Sequence, residues 1–182
     1  RAIDRAGLTA GEKVSYDIFV RELESDLAGE RFGAHRMPLT NEGGFYNYLA
    51  RLPEELVFRN LKDYQNYLAR LREVPRYFDE QTVWMRQGLE AGMTPPQAVF
   101  GGFSATIDPH VVDKPEQSAF WTPFAAMPET IPAGDRDRVR TEAREVIATA
   151  VIPAYRKLRS FLLDEYVPGA RTTIGASELP QG

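Results

Sequence analysis

The chain has 182 residues, 43% of them apolar and 26% charged, with a formal charge of −4. Those proportions describe a globular chain long enough to bury ~70% of its unfolded surface, not a disordered one. Lys and Arg are interleaved with Asp and Glu, so no basic stripe is available for nucleic acid; there is no cysteine for disulfides or thiolate chemistry, and the longest apolar stretch, near residues 146–155, falls well short of the ~20 residues of a membrane span.

The chain opens at Arg1 with neither a methionine nor a signal-like apolar segment, and so reads as starting mid-protein. Thr9-Ala10-Gly11-Glu12 has the form of a capping box, which predicts a helix beginning there. Val14, Ile18, Phe19, Leu23 and Leu27 follow at spacings of three to five and are expected to form its buried stripe, ending near Gly29 or Gly33. Lys13, Asp17, Arg21 and Glu24 are assigned to the solvated face.

Phe32 to Gly44 contains glycines, a proline and little periodicity, and is expected to be a loop. Phe45 to Leu52 is predicted as a short helix. Asn60 is a plausible N-cap for a longer one buried through Leu61, Tyr64, Leu68, Leu71 and Val74. Pro75 then kinks or restarts the chain, and Tyr77, Phe78, Val83, Trp84 and Leu89 continue a helical face to Gly92.

Thr94-Pro95-Pro96-Gln97 combines a capping hydroxyl, first-turn prolines and a glutamine at the box position, so another helix is expected there, weakened by Gly101 and Gly102. Asp113 to Gly134 holds four prolines with Phe120, Trp121 and Phe124, which predicts an irregular segment packed by its rings. From Asp135 to Tyr166 runs the strongest helical pattern, with Val139, Ala143, Val146, Ile147, Ala150, Val151, Ala154, Leu158, Phe161 and Leu162 facing inward, interrupted only by Pro153. Residues 167–182 have no helical period and read as an extended connector. The fold class is therefore all-α: an irregular array of five or six helices with long aromatic- and proline-rich connections, taken as one helical region over residues 1–182.

Chemistry is sparse. Helical metal sites present two ligands three or four residues apart; the two histidines, His35 and His110, stand alone, and neither H-E-x-x-H nor E-x-x-H occurs. They read as loop or cap residues, so no metal or cofactor is assigned to this chain. Carboxylate pairs such as Glu22 with Asp26, or Glu54 with Glu55, read as solvated helix faces. No serine lies in a Gly-x-Ser-x-Gly elbow. Gly43-Gly44 and Gly101-Gly102 could let a ligand approach the backbone, but turn or packing geometry accounts for them. The rings around Trp84 and Trp121 read as core.

The segments LTAGEKVSYDIFVRELE, HRMPLTNEGG, LKDYQNYLARLREVPRYFDEQTVWMRQGLEAG and PAYRKLRSFLLDEYVPGARTTIGASELPQG, in that order and spacing, resemble the amino-terminal region of the bacterial family called domain of unknown function 885. That family is similar to helical zinc metallopeptidases, with its H-E-x-x-H motif well downstream of the Leu-Pro-x-Gly stretch at Leu179 to Gly182. The resemblance implies a zinc-dependent hydrolase acting on peptides for the intact protein, and places zinc and the catalytic residues in a carboxy-terminal half not contained in this chain. The present residues would then wall or cover the substrate cleft, with that catalytic half and a peptide as partners. It also suggests a periplasmic or envelope-attached setting. Arg171 either is a surface residue that pairs with a carboxylate or caps the carboxy end of the Asp135 to Tyr166 helix or, with the loop around His35 and Asn41, lines the cleft and grips a substrate carboxylate or carbonyl. A stand-alone helical binding or scaffold module is the alternative, and continuation of the reading frame into an H-E-x-x-H helix would separate the two.

Overall fold

The computed structural model describes residues 3–40 and 42–180 and forms two compact units, one ending at His35 and the other running from Arg36 to Pro180. In the first unit, helix α1 (Ala10–Arg31) starts where the capping box predicts: the Thr9 hydroxyl accepts from the Glu12 amide while the Glu12 carboxylate accepts from the Thr9 amide at 2.8 Å. Arg5, in a short 3-10 turn, donates through two nitrogens to Asp17. The expected buried stripe does not exist. Val14, Ile18, Phe19, Leu23 and Leu27 are all exposed, Leu27 at 66%, and α1 buries no residue. At ~100° per residue, the step from Val14 to Phe19 turns by about 140°. Val14 and Ile18 therefore face away from Leu23 and Leu27, and no single face gathers them.

The second unit opens with a small antiparallel pair, β1 (Leu39–Thr40) and β2 (Gly43–Gly44), in register Leu39 with Gly44 and Thr40 with Gly43. A hairpin thus replaces part of the expected loop. Helix α2 (Phe45–Glu55) follows directly. Helix α3 (Leu61–Arg72) is capped as predicted, Asn60 accepting from the Asp63 amide at 3.2 Å while the Asp63 carboxylate accepts from the Asn60 amide at 3.1 Å. Pro75 falls in the first turn of α4 (Val74–Glu90), where its missing N–H costs nothing, so the chain restarts rather than kinks.

The helix expected after Thr94 is reduced to a 3-10 turn, Gln97–Phe100. Its capping groups are used elsewhere: the Thr94 hydroxyl accepts from the Arg171 amide at 3.0 Å, and the Gln97 side chain donates to the carbonyls of Val167 and Pro168. Gly102, with φ of +76°, then turns the chain away from helical geometry. Helix α5 (Ser104–Ile107) is one turn long. Through residues 113–132 the chain makes only 3-10 turns and the single-turn α6 (Thr122–Ala125), yet Phe120, Trp121 and Phe124 are buried, as the ring-rich sequence leads one to expect.

The strongest predicted helix is continuous from Ala133 to Gly169, as α7 (Ala133–Val146), a π-turn (Ile147–Val151), α8 (Ile152–Phe161), a second π-turn (Leu162–Tyr166) and α9 (Val167–Gly169). Each π-turn stands immediately before an α segment with proline in its first turn, Pro153 and Pro168. A wide turn redistributes the carbonyls that a proline cannot serve and relieves the ring's clash, so the helix passes both prolines without breaking. Of the ten inward residues expected, all but the partly buried Ala150 are buried.

One core joins α2, α3, α4 and the long helix, with Tyr46, Tyr64, Tyr67, Leu68, Leu71, Phe124, Ile147, Tyr155 and Leu162 at its centre. The class is all-α. Lys157 with Asp79 and Arg86 with Glu165 tie α4 to the long helix from outside; being half-exposed, each such pair is worth only ~0.2–1 kcal/mol. Among the described residues no helix is long and apolar enough to cross a membrane.

Candidate binding cleft

The small hairpin and α2 border a concave surface of the second unit. Gly43 has φ of +121°, and a Cβ there would lie 2.0 Å from Asn47 Oδ1. A Cβ on Gly44 would meet the Pro38 carbonyl oxygen at 2.7 Å. Only glycine at both positions lets the hairpin close directly onto the start of α2. Asn47 Oδ1 accepts from the Gly44 amide at 3.1 Å and its Nδ2 donates to the Thr106 carbonyl at 3.2 Å, so one side chain fastens the hairpin to α5.

Behind this lies a polar chain. Thr106 donates its hydroxyl to the Phe103 carbonyl, which makes Tyr46 the donor in its short contact with Thr106 Oγ1. Tyr155, fully buried on α8, donates to the Tyr46 carbonyl at 2.7 Å. Its ring stands 5.1 Å from that of His110. The hairpin, α2 and His110 thereby enclose a cleft of about 430 Å³, lined by Thr40, Glu42, the Gly43-Gly44 backbone, Asn47, Arg51, Glu54 and His110 among others. Ligand sites commonly fall in the range of ~300–1,000 Å³. Burial pushes the His110 imidazole below its ordinary pKa, so near neutral pH it offers one donor and one acceptor and no charge. The Arg51 guanidinium lies over the Tyr48 ring, 5.2 Å from its centroid.

A larger depression of about 600 Å³ is bounded by Trp121, Arg140 and Arg144. Its cations are committed: Arg140 donates to the Phe124 carbonyl at 3.0 Å, and Arg144 donates to Glu116 at 2.7 Å while covering the Trp121 ring. It is built as a packing feature. Among the described residues no cluster of three or more His, Asp or Glu side chains is arranged to hold a metal.

The three residues singled out from sequence have different fates. Asn41 lies outside the described residues. His35 closes the first unit, its Nδ1 2.9 Å from Glu30 Oε2. Arg171 is not among the residues lining the cleft. Its Nε donates to the Thr94 carbonyl at 2.8 Å and one Nη donates to the carbonyls of Thr173 and Gly175, while its own carbonyl accepts from the Gln97 amide. Together with Thr94 and Gln97 it forms a clasp that turns the chain back after the long helix. Replacement of Arg171 by Ala is expected to cost about 1–3 kcal/mol, because the carbonyl of the buried Thr94 loses a charged donor and the exposed Thr173 and Gly175 lose the side chain that gathers them. Scanning calorimetry checks this. An unchanged Tm, accompanied by a tenfold fall in kcat/KM of the intact protein, would instead place Arg171 at a substrate.

Thr40, Asn47, Arg51, Glu54 and His110 were not legible as a group. Gly43-Gly44 was the available signal, since a glycine pair followed three residues later by asparagine marks a sharp entry into a helix.

The family model described as Bacterial protein of unknown function (DUF885) matches residues 1–182. No curated protein and no solved structure matches the chain.

Proposed function

Because the chain belongs to the DUF885 family of bacterial proteins, we propose that it supplies a non-catalytic binding wall in a peptidase-like hydrolase, holding a peptide against zinc chemistry located in another part of the protein. The observation that carries this reading is the cleft of about 430 Å³ between the glycine hairpin, α2 and His110. Its lining mixes backbone amides, an asparagine, a neutral imidazole and charged groups of both signs. That is the assortment needed to hold a peptide's alternating donors and acceptors, whereas a phosphate cradle would present converging cations. In the zinc site expected elsewhere, two histidines and an acid would hold the metal and a glutamate would activate water. The present residues contribute orientation, which can account for a large part of a peptidase's rate enhancement.

The test is an NMR titration of the 182-residue chain with short unstructured peptides. Shifts should cluster on Thr40, Gly43, Asn47, Arg51 and His110, and the chain alone should leave the peptides intact. Shifts scattered over α7 or α8, or none at millimolar peptide, would refute the assignment. The Gly43→Val variant should lose the clustered shifts while keeping most of its helical circular dichroism, since its Cβ would collide with Asn47 at the start of α2, beside the cleft and not in the core.

A further inference from the structure

Arg51 and Glu54 project into the cleft from α2, one helical turn apart. Elsewhere in the chain that spacing is used for ion pairs: Arg76 bridges Glu73 and Glu80, and Arg138 meets Asp135 at 2.7 Å. Arg51 and Glu54 make no such pair. Among the described residues neither has an ionic partner, and Arg51 rests instead on Tyr48. The ring contact occupies one face of the guanidinium and leaves its N–H donors available to a carboxylate. Burial keeps His110 uncharged, so Arg51 is the cation among the described lining residues, and Glu42 adds a second carboxylate.

Resting on the peptide-cleft reading, we infer that this cleft takes the free ends of a very short peptide, with Arg51 gripping the carboxylate and Glu54 the ammonium group. Residues three apart on a helix have Cβ atoms about 5–6 Å apart. A peptide advances about 3.5 Å per residue, so the opposite charges of a dipeptide stand roughly 6–7 Å apart, close enough to the Cβ spacing for the two side chains to reach both, whereas each further residue widens the gap unless the chain folds back. The cleft volume is ample for two residues. The surplus negative charge from Glu42 and Glu54 disfavours a simple anion and favours a ligand that brings its own cation.

Calorimetric titration of the chain with alanyl-alanine, its N-acetyl form, its carboxamide and a doubly blocked tetrapeptide tests this. Free dipeptide should bind, and blocking either end should weaken it ~10-fold or more, the loss of one charge-assisted contact. Arg51→Gln should bind acid and amide equally well, and Glu54→Gln should bind free and acetylated forms equally well. Both side chains are exposed and unpaired, so both variants should retain the parent melting temperature, which is measured alongside. Capped and free dipeptides binding alike, or a preference for the acid surviving in Arg51→Gln, overturns the inference. If the blocked tetrapeptide still binds in that case, the peptide-wall reading stands without it. If no peptide of any kind binds, both fall.

Discussion

Truncating Phe124 to alanine is expected to cost about 3–5 kcal/mol, the range for deleting a fully buried aromatic side chain and leaving a cavity. Phe124 has no exposed surface. Its ring lies 5.7 Å from that of Tyr64, 5.8 Å from Tyr67 and 5.6 Å from Trp121. The segment that carries it has only single turns of helix, so backbone hydrogen bonding does little to hold residues 113–132 in place. Ring packing holds them, and Phe124 is its centre, with the Phe124 carbonyl accepting from Arg140. The melting temperature should fall by roughly 10 °C, at about 2–4 °C per kcal/mol for a chain of this size. Urea denaturation with matched slopes would give the free energy directly. Limited proteolysis should show new cleavage between Asp113 and Gly134. A loss below about 1 kcal/mol would mean that the segment is held some other way.

Stability should also collapse at alkaline pH. Burial pushes the phenol pKa up at Tyr46, Tyr67, Tyr155 and Tyr166, because a phenolate in the core would be stripped of water. A folded pKa above the unfolded value of ~10 means that the stabilising contribution is intact below that pH. It is lost as pH climbs beyond it towards the folded values, since the unfolded chain releases its protons first. Each group with a large shift, Tyr67, Tyr155 and Tyr166, removes about 1.4 kcal/mol per pH unit, so these three together remove about 4 kcal/mol per unit. Against a total of roughly 5–15 kcal/mol, cooperative unfolding should follow within about one to four units above pH 10. Far-ultraviolet circular dichroism and tyrosinate absorbance, followed together through a pH titration, should change in one step. If most of the tyrosinate signal rose near pH 10 with the helical signal intact, the idea would fail. Tyr166→Phe sharpens the test. The Tyr166 hydroxyl is buried with no hydrogen-bond partner among the described residues, so its removal should be neutral or stabilising at pH 7 and should make the alkaline decline shallower by one group. Tyr155→Phe should cost stability at pH 7, because it strips the Tyr46 carbonyl of its donor.

Where a feature closes on itself within a few residues, the sequence was sufficient. The capping box of Thr9 and Glu12, the reciprocal cap of Asn60 and Asp63, and the inward face of the long helix each depend on spacings of three or four, and all appear as read. The ring-packed segment around Phe124 was legible because prolines forbid regular structure while aromatics demand burial. Pro153 and Pro168 were less transparent: the pattern placed a helix across Pro153, but not the π-turns that let the helix continue past it and past Pro168.

Thr94 and Gln97 carry a helix-start signal as good as that of Thr9, yet their partners lie in residues 167–171, seventy or more positions away. Arg171 is bound into the same clasp, which no local spacing announces. The cleft joins Thr40, Asn47 and Arg51 to His110 through α5 and the buried Tyr155, so its members share no periodicity. The apolar residues of α1 have helical spacing without a common face, and spacing alone did not reveal that they are left exposed. Local propensity, capping and binary pattern thus determined which segments are helical, because those energies are settled between near neighbours. Which polar groups are spent on the fold and which are left facing a cleft was decided only when distant segments packed, because a side chain's partner in a tertiary contact is set by topology and not by its neighbours along the chain.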